Sequence, residues 1–245
     1  MHEAFAVDFP NNRSATAVRV NSMDELPRAC RALRLTSGPT VSLIGGADGL
    51  AGQALDRLRA LFVETIAPLV QQAGARVVDG ATDAGVVQLI GQARGELELS
   101  FPLIGVAAIG NVAVPGEAHG PDAVKLEPNH SHFLLIEREG WGEESPWIAR
   151  LASALAAGKA SLTLLVNGGE ISWADVSASI AENRSVVAVA GSGGTADAIA
   201  AHLLGTRANK RVEPLASSGL LVATGPVGEG GSIKTAIRQL LGVQP

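Results

Sequence analysis

Four short segments of this chain combine glycine with hydroxyl or carboxylate side chains. They read Gly45-Gly46-Ala47-Asp48-Gly49, Asp79-Gly80-Ala81-Thr82-Asp83-Ala84-Gly85, Asn167-Gly168-Gly169-Glu170 and Gly191-Ser192-Gly193-Gly194-Thr195-Ala196-Asp197. Glycine lets a backbone approach a ligand closely, and amides at a helix start favour an anion. Such turns suit a phosphate-bearing ligand more clearly than any reaction. The fourth satisfies G-x-G-x-x-A, the dinucleotide fingerprint, although it falls late in the chain and no convincing strand-end acid follows it. Read alone it is equally a tight joint between strand and helix, with Thr195 as a cap. Its companion turns tip the reading toward phosphate.

Carboxylates are the candidates for acid/base work. Asp79, Asp83, Glu143, Glu144 and Asp197 fall at expected strand ends or helix starts, where the helix dipole alone favours acids. Asp197 and Glu144 are the candidate catalytic residues, able to stabilise an oxocarbenium-like centre or activate water at a glycosidic carbon. In Asn129-His130-Ser131-His132 the two imidazoles share one face of an expected strand, yet no Cys or H-E-x-x-H pattern supplies further ligands. One buried, hydrogen-bonded histidine and one facing the cleft are expected, and no metal. Ser232-Ile233-Lys234-Thr235 ends a Gly-rich stretch but places Ile233 where a P-loop needs glycine. There is no G-x-S-x-G elbow, and Cys30 lies outside every turn.

Positioning these turns requires strands before them and helices after them. Apolar runs at 41–44, 76–78, 162–166 and 186–190 precede the four turns, and alanine-rich or amphipathic stretches follow. This is strand–turn–helix grammar, and it predicts a Rossmann-like α/β fold: a doubly wound, mostly parallel sheet with helices on both faces. In such a sheet the turns gather along the carboxyl ends of the strands. Further strands are expected at 103–108, 132–137 and 220–223, with helices at about 50–73, 86–94, 143–157, 172–182, 196–204 and 233–241. The 50–73 helix carries Leu55, Leu58, Phe62 and Ile66 on one stripe. The 110–128 stretch, rich in Gly, Pro and acids, reads as a long surface loop.

Residues 1–38 read as an N-terminal extension, with a short edge strand at 18–20 and a helix opened by Ser22 as N-cap with Glu25 as its box partner. Residues 39–245 read as a single domain. Across 245 residues, 47% are hydrophobic and 18% charged, with 29 glycines, which suits a sheet buried on both faces. A net charge of −5 without a Lys/Arg cluster argues against nucleic acid, and no apolar run approaches the ~20 residues of a membrane span. One cysteine allows no internal disulfide, and with no signal-peptide layout a cytoplasmic setting is expected. Self-association into a homo-oligomer is left open.

Five ordered stretches carry a family resemblance: 41–47, 78–86, 103–107, 129–135 and 191–197. Together they resemble the LSDAT family of the SLOG superfamily of Rossmann-like domains, over roughly residues 39–205. In animals that family forms the cytosolic N-terminal region of melastatin-type transient receptor potential channels, and stand-alone prokaryotic members exist. The resemblance implies a nucleotide-derived ligand, ADP-ribose or another NAD-related molecule, bound across the strand ends, with no further cofactor required. The contacts it implies are Gly45, Gly46, Gly80, Thr82, Asp83, Gly85, Gly191, Ser192, Gly193, Gly194 and Thr195. Asn129 and His130, and Gly168 and Gly169 of the third turn, complete the candidate ligand-binding set. The wider superfamily includes phosphoribohydrolases with a P-G-G-x-G-T-x-E-E turn. Here Ala190 precedes the glycines and Asp197-Ala198 replaces the paired glutamates, which favours binding over a nucleotide N-glycoside hydrolase.

Overall fold

A computed structural model of the chain describes residues 3–46, 52–228 and 230–243. Its strands are β1 (Phe5–Asp8), β2 (Ser14–Val20), β3 (Thr40–Gly45), β4 (Arg76–Asp79), β5 (Leu103–Ala108), β6 (Val112–Ala113), β7 (Val124–Lys125), β8 (His132–Ile136), β9 (Ser161–Val166), β10 (Ser185–Ala188) and β11 (Leu221–Ala223). Nine of them form one sheet in the order β1-β2-β8-β5-β4-β3-β9-β10-β11, while β6 and β7 pair apart. Only the β1–β2 hairpin within that sheet is antiparallel. The helices are α1 (Leu26–Ala32), α2 (Gln53–Leu61), α3 (Ala67–Gln72), α4 (Gly85–Glu96), α5 (Ser145–Ala156), α6 (Ile171–Ala181), α7 (Gly194–Leu203), α8 (Glu213–Ala216) and α9 (Gly230–Leu241).

Successive side chains of a strand point to opposite faces, so each buried strand feeds two cores. Leu43, Val77, Leu103 and Leu164 meet α2, α3, α4 and α9 on one side. Ile44, Val78, Ile104 and Leu165 meet α1, α5, α6 and α7 on the other. The doubly wound, mostly parallel fold read from the apolar runs is the fold observed.

Local differences from the sequence reading have physical causes. The 18–20 strand is no edge: β2 lies between β1 and β8, so residues within 1–38 continue the same sheet. Ser22 makes no side-chain cap; Glu25 Oε2 instead accepts the Asn21 N–H at 3.0 Å, and a single 3-10 turn leads into α1. The long helix is broken by a π turn at Phe62–Ile66. Pro68, just inside α3, has no N–H to donate back, and one widened turn absorbs the missing bond. Leu58, Phe62 and Ile66 are buried, whereas Leu55, in the first turn of α2, is exposed.

The 110–128 stretch is more than a surface loop. It buries Val112, Val114 and Leu126 against Phe133 and Leu135 of β8 and Val7 and Phe9 near β1. No helix of the described residues contributes to this cluster, and the stretch takes a helix's place as the third layer.

At the middle of the sheet, Gly45 runs against β9. A Cβ there would stand 1.9 Å from the Val166 carbonyl oxygen, and the residue has φ +134°. Gly45→Ala is expected to cost about 2 kcal/mol or more in urea unfolding, from clash and backbone strain together.

Candidate functional site

From β3 the chain works outward through β4, β5 and β8, then returns to lay β9 on the other side of β3. The connections after β3 and β9 leave toward opposite faces, which opens a crevice at the carboxyl ends of the two strands. A cleft of about 320 Å³ occupies that place. Gly45, Gly46, Gly80, Thr82 and Gly169 line it, together with Trp141, Glu144 and Ile148 from α5 and the turn just before it, and Ile171, Ser172 and Asp175 of α6. Six residues singled out in the sequence, Gly45, Gly46, Gly80, Thr82, Glu144 and Gly169, therefore meet in one hollow. Ala47-Asp48-Gly49, the rest of the first turn, lies outside the described residues.

The electrostatics of the cleft are acidic. Its lining includes Glu144, Glu170 and Asp175 and no Lys, Arg or His among the described residues. Glu170 is paired at the rim with Arg211, whose guanidinium also sits 4.5 Å over the Trp173 ring. Burial raises the Glu144 carboxyl, although its Oε2 accepts the Gly142 N–H at 3.0 Å. Burial also pushes Asp175 up to about 6; the Ser145 hydroxyl opposes this and the charge of Glu144 reinforces it. Asp175 had no signal in the sequence, because a mid-helix acid ordinarily faces water. Trp141, placed between Gly140 and Gly142 and 52% exposed, was legible as an unusual aromatic but was not singled out.

The fourth turn sits one strand further on and serves as a buttress. Ser192 Oγ accepts the Asn167 N–H at 2.7 Å and donates to the Val189 carbonyl at 2.6 Å. The Thr195 N–H donates to the Gly168 carbonyl, and Thr195 Oγ1 donates to that of Gly169 at 3.0 Å. Gly193 and Gly194 leave room for Asn167 and Gly168, which a Cβ at either position would strike. Contrary to the expectation that all four turns face one ligand, Gly168, Gly191, Ser192, Gly193, Gly194 and Thr195 do not line the crossover cleft. Asp197 accepts the Gly191 N–H at 2.6 Å and opens on a separate hollow beside Arg207 and Lys210. Asp83 accepts from Gln88 and faces the 113–128 stretch, while Gly85, at φ +57°, starts α4.

Asn129 and His130 are also away from the cleft. His130 is buried, with Nδ1 2.8 Å from Glu127 Oε2 and Nε2 2.9 Å from Asp79 Oδ1. Two carboxylate partners require both ring nitrogens to donate, so the ring is an imidazolium. Burial alone would lower its pKa, but the charges and hydrogen bonds of Asp79 and Glu127 outweigh it and raise it to about 9. Asp79 Oδ1 also accepts the Ala81 N–H at 2.9 Å, and the Ala81 carbonyl accepts the Glu127 N–H. The cluster thus holds the turn that carries Gly80 and Thr82. Asn129 bonds both Glu127 oxygens, and its carbonyl accepts from Arg94. His132, half-buried against Ser131 Oγ, is lowered by burial and then by Arg94 to about 4 and stays neutral.

These shifts set opposite pH windows. The folded His130 pKa lies above its ordinary 6.5, so its stabilisation is complete below that pH and is lost as pH rises through about 9. His130→Gln should therefore cost most near pH 6, with the gap to the parent closing toward pH 10 in urea titrations. Asp175 titrates near 6 instead of 3.8, so its ionisation destabilises the fold as pH rises through that interval. Asp175→Asn should raise the melting temperature at pH 7 and lose that advantage below pH 4.

Residues 38–229 match the family described as SLOG in TRPM, prokaryote. A curated relative, transient receptor potential cation channel subfamily M member-like 2 of Nematostella vectensis, is 28% identical over 141 residues. The match takes in 47% of this chain and only 9% of that protein. Among solved structures, the X-ray structure of the structural-genomics target TM1055 matches 81% of this chain and 99% of its own, with TM-score 0.51 and 16% identity. That likeness bears on the fold alone. No helix among the described residues is long and apolar enough to cross a membrane.

Proposed function

The chain belongs to the prokaryotic SLOG-in-TRPM family, and from that premise we propose that it binds a nucleotide-derived metabolite of the ADP-ribose or NAD-related class, as a sensor. One observation carries this reading: the cleft lies where the strand order reverses, at the carboxyl edge, with glycine turns from three strands on its rim. Gly80 and Gly169 add to it. Neither has a positive φ, and a Cβ at either would meet no atom of the described residues within 4 Å. Their bareness answers no packing need, so it leaves room for a ligand.

Titration calorimetry with ADP-ribose, NAD and AMP tests the reading. At least one of them is expected to bind, and Gly80→Ala or Gly169→Ala to weaken it about tenfold while stability stays within about 1 kcal/mol. Silence across all three would end the proposal.

Hydrolysis of a nucleotide N-glycosidic bond is the second reading. The observation favouring it is that Glu144 lies in the cleft next to a second raised acid, as proton transfer to a leaving base needs. Asp197 is spent on Gly191 and opens elsewhere. Free base released from a nucleoside monophosphate or NAD, and lost in Glu144→Gln, would establish it; intact substrate by chromatography would dismiss it.

A further inference from the structure

We propose that the crossover cleft is a nucleobase subsite, taking a ring with an amino-bearing or cationic edge against the Glu144 and Asp175 carboxyls and under Trp141, with phosphates directed outward. This deepens the nucleotide reading above and rests on it.

Charge comes first. A pyrophosphate pressed into this cleft would meet Glu144 and Asp175 and no lining cation. Like charges at short range in a partly dehydrated space repel strongly. Ionised carboxylates only accept hydrogen bonds, so the group that complements them must donate. Glu170 already has Arg211, whereas no Lys, Arg or His pairs with Glu144 or Asp175 among the described residues. The two acids thus line the cleft without a cationic partner among the described residues.

Shape gives the same answer. About 320 Å³ is at the small end for a ligand pocket and suits a ring with part of its sugar, not a whole dinucleotide. Trp141 lines the cleft while keeping 52% of its surface in water, and Ile148 and Ile171 supply apolar contact around it. An indole left in solvent at a cleft mouth is a stacking surface, and stacking on an aromatic ring contributes to base binding whatever the base. The open faces of Gly80 and Gly169 then lie on the rim, where sugar and phosphate leave the subsite.

Two matched ligand pairs test this on the full chain, by calorimetry and tryptophan fluorescence: adenosine against purine riboside, and guanosine against inosine. Each pair differs by one exocyclic amino group. In at least one pair, loss of that group is expected to weaken binding about tenfold or more. Asp175→Asn should erase the discrimination while remaining folded by circular dichroism. Trp141→Ala should weaken both members of a pair alike, about fivefold, and Trp141→Phe should restore most of it. Equal binding within both pairs, undiminished discrimination in Asp175→Asn, or pyrophosphate alone binding as tightly as AMP would each overturn the subsite. If AMP, ADP-ribose or NAD still binds in those cases, the nucleotide reading survives; if none of the three binds, both fall.

Discussion

The architecture turns on how closely β3 and β9 approach each other. They pair along six residues, and at the last pair Gly45 faces Val166 with no space for a side chain. This contact seals the sheet where its winding direction changes. Immediately beyond it the chain must part, because one connection leads to the α2–α4 layer and the other to the α6 layer. Tight packing below and divergence above produce a crevice without any residue being dedicated to making it.

The glycine turns divide into two kinds once they are seen together. Gly45, Gly193 and Gly194 are bare because neighbouring atoms occupy the position of a Cβ. Gly80 and Gly169 are bare with nothing opposite them. Only the second kind calls for an explanation beyond packing. The fourth turn, with the strongest motif in the sequence, proves to be a support: its Ser192 and Thr195 hydroxyls, and the Gly191 and Thr195 amides, are consumed in holding the third turn and itself. Of the turn's amides, that of Thr195 goes to the Gly168 carbonyl and that of Gly191 to the Asp197 carboxylate.

Charge is distributed with the same economy. The buried imidazolium of His130 sits between Asp79 and Glu127 and is satisfied at both nitrogens. Gly91 of α4 makes this possible, since a Cβ there would fall 2.1 Å from the Glu127 carboxyl. The cleft is the reverse case: burial raises both Glu144 and Asp175, the charge of Glu143 adds to the first and that of Glu144 to the second, and no cation lines the cleft among the described residues. Charges paired with an opposite charge hold the turn in place, and carboxyls without a cationic partner among the described residues line the hollow. Destabilising groups retained in a concave, otherwise well-packed region are the mark of a binding site.

The sequence by itself determined the α/β class, the central strands and most of the helices to within a few residues (not β1, β6, β7 or α8), and the carboxyl-edge location of the turns. Continuous runs such as 162–166 and the glycines after them encode these locally, through burial on both faces and backbone freedom. It also carried the family, because five motifs in order are a one-dimensional property. What only the tertiary structure decided was which turns share a hollow. Gly80 and Gly169 are 89 positions apart in sequence numbering, yet both line the cleft, whereas Gly191 is adjacent in the sheet and does not. For the same reason His130, counted among the expected ligand contacts, is buried between two carboxylates, and Asp175, which the sequence did not mark, lines the cleft. Whether a polar side chain is left for a ligand depends on the partners that non-local packing brings within about 3 Å, and no spacing along the chain encodes that.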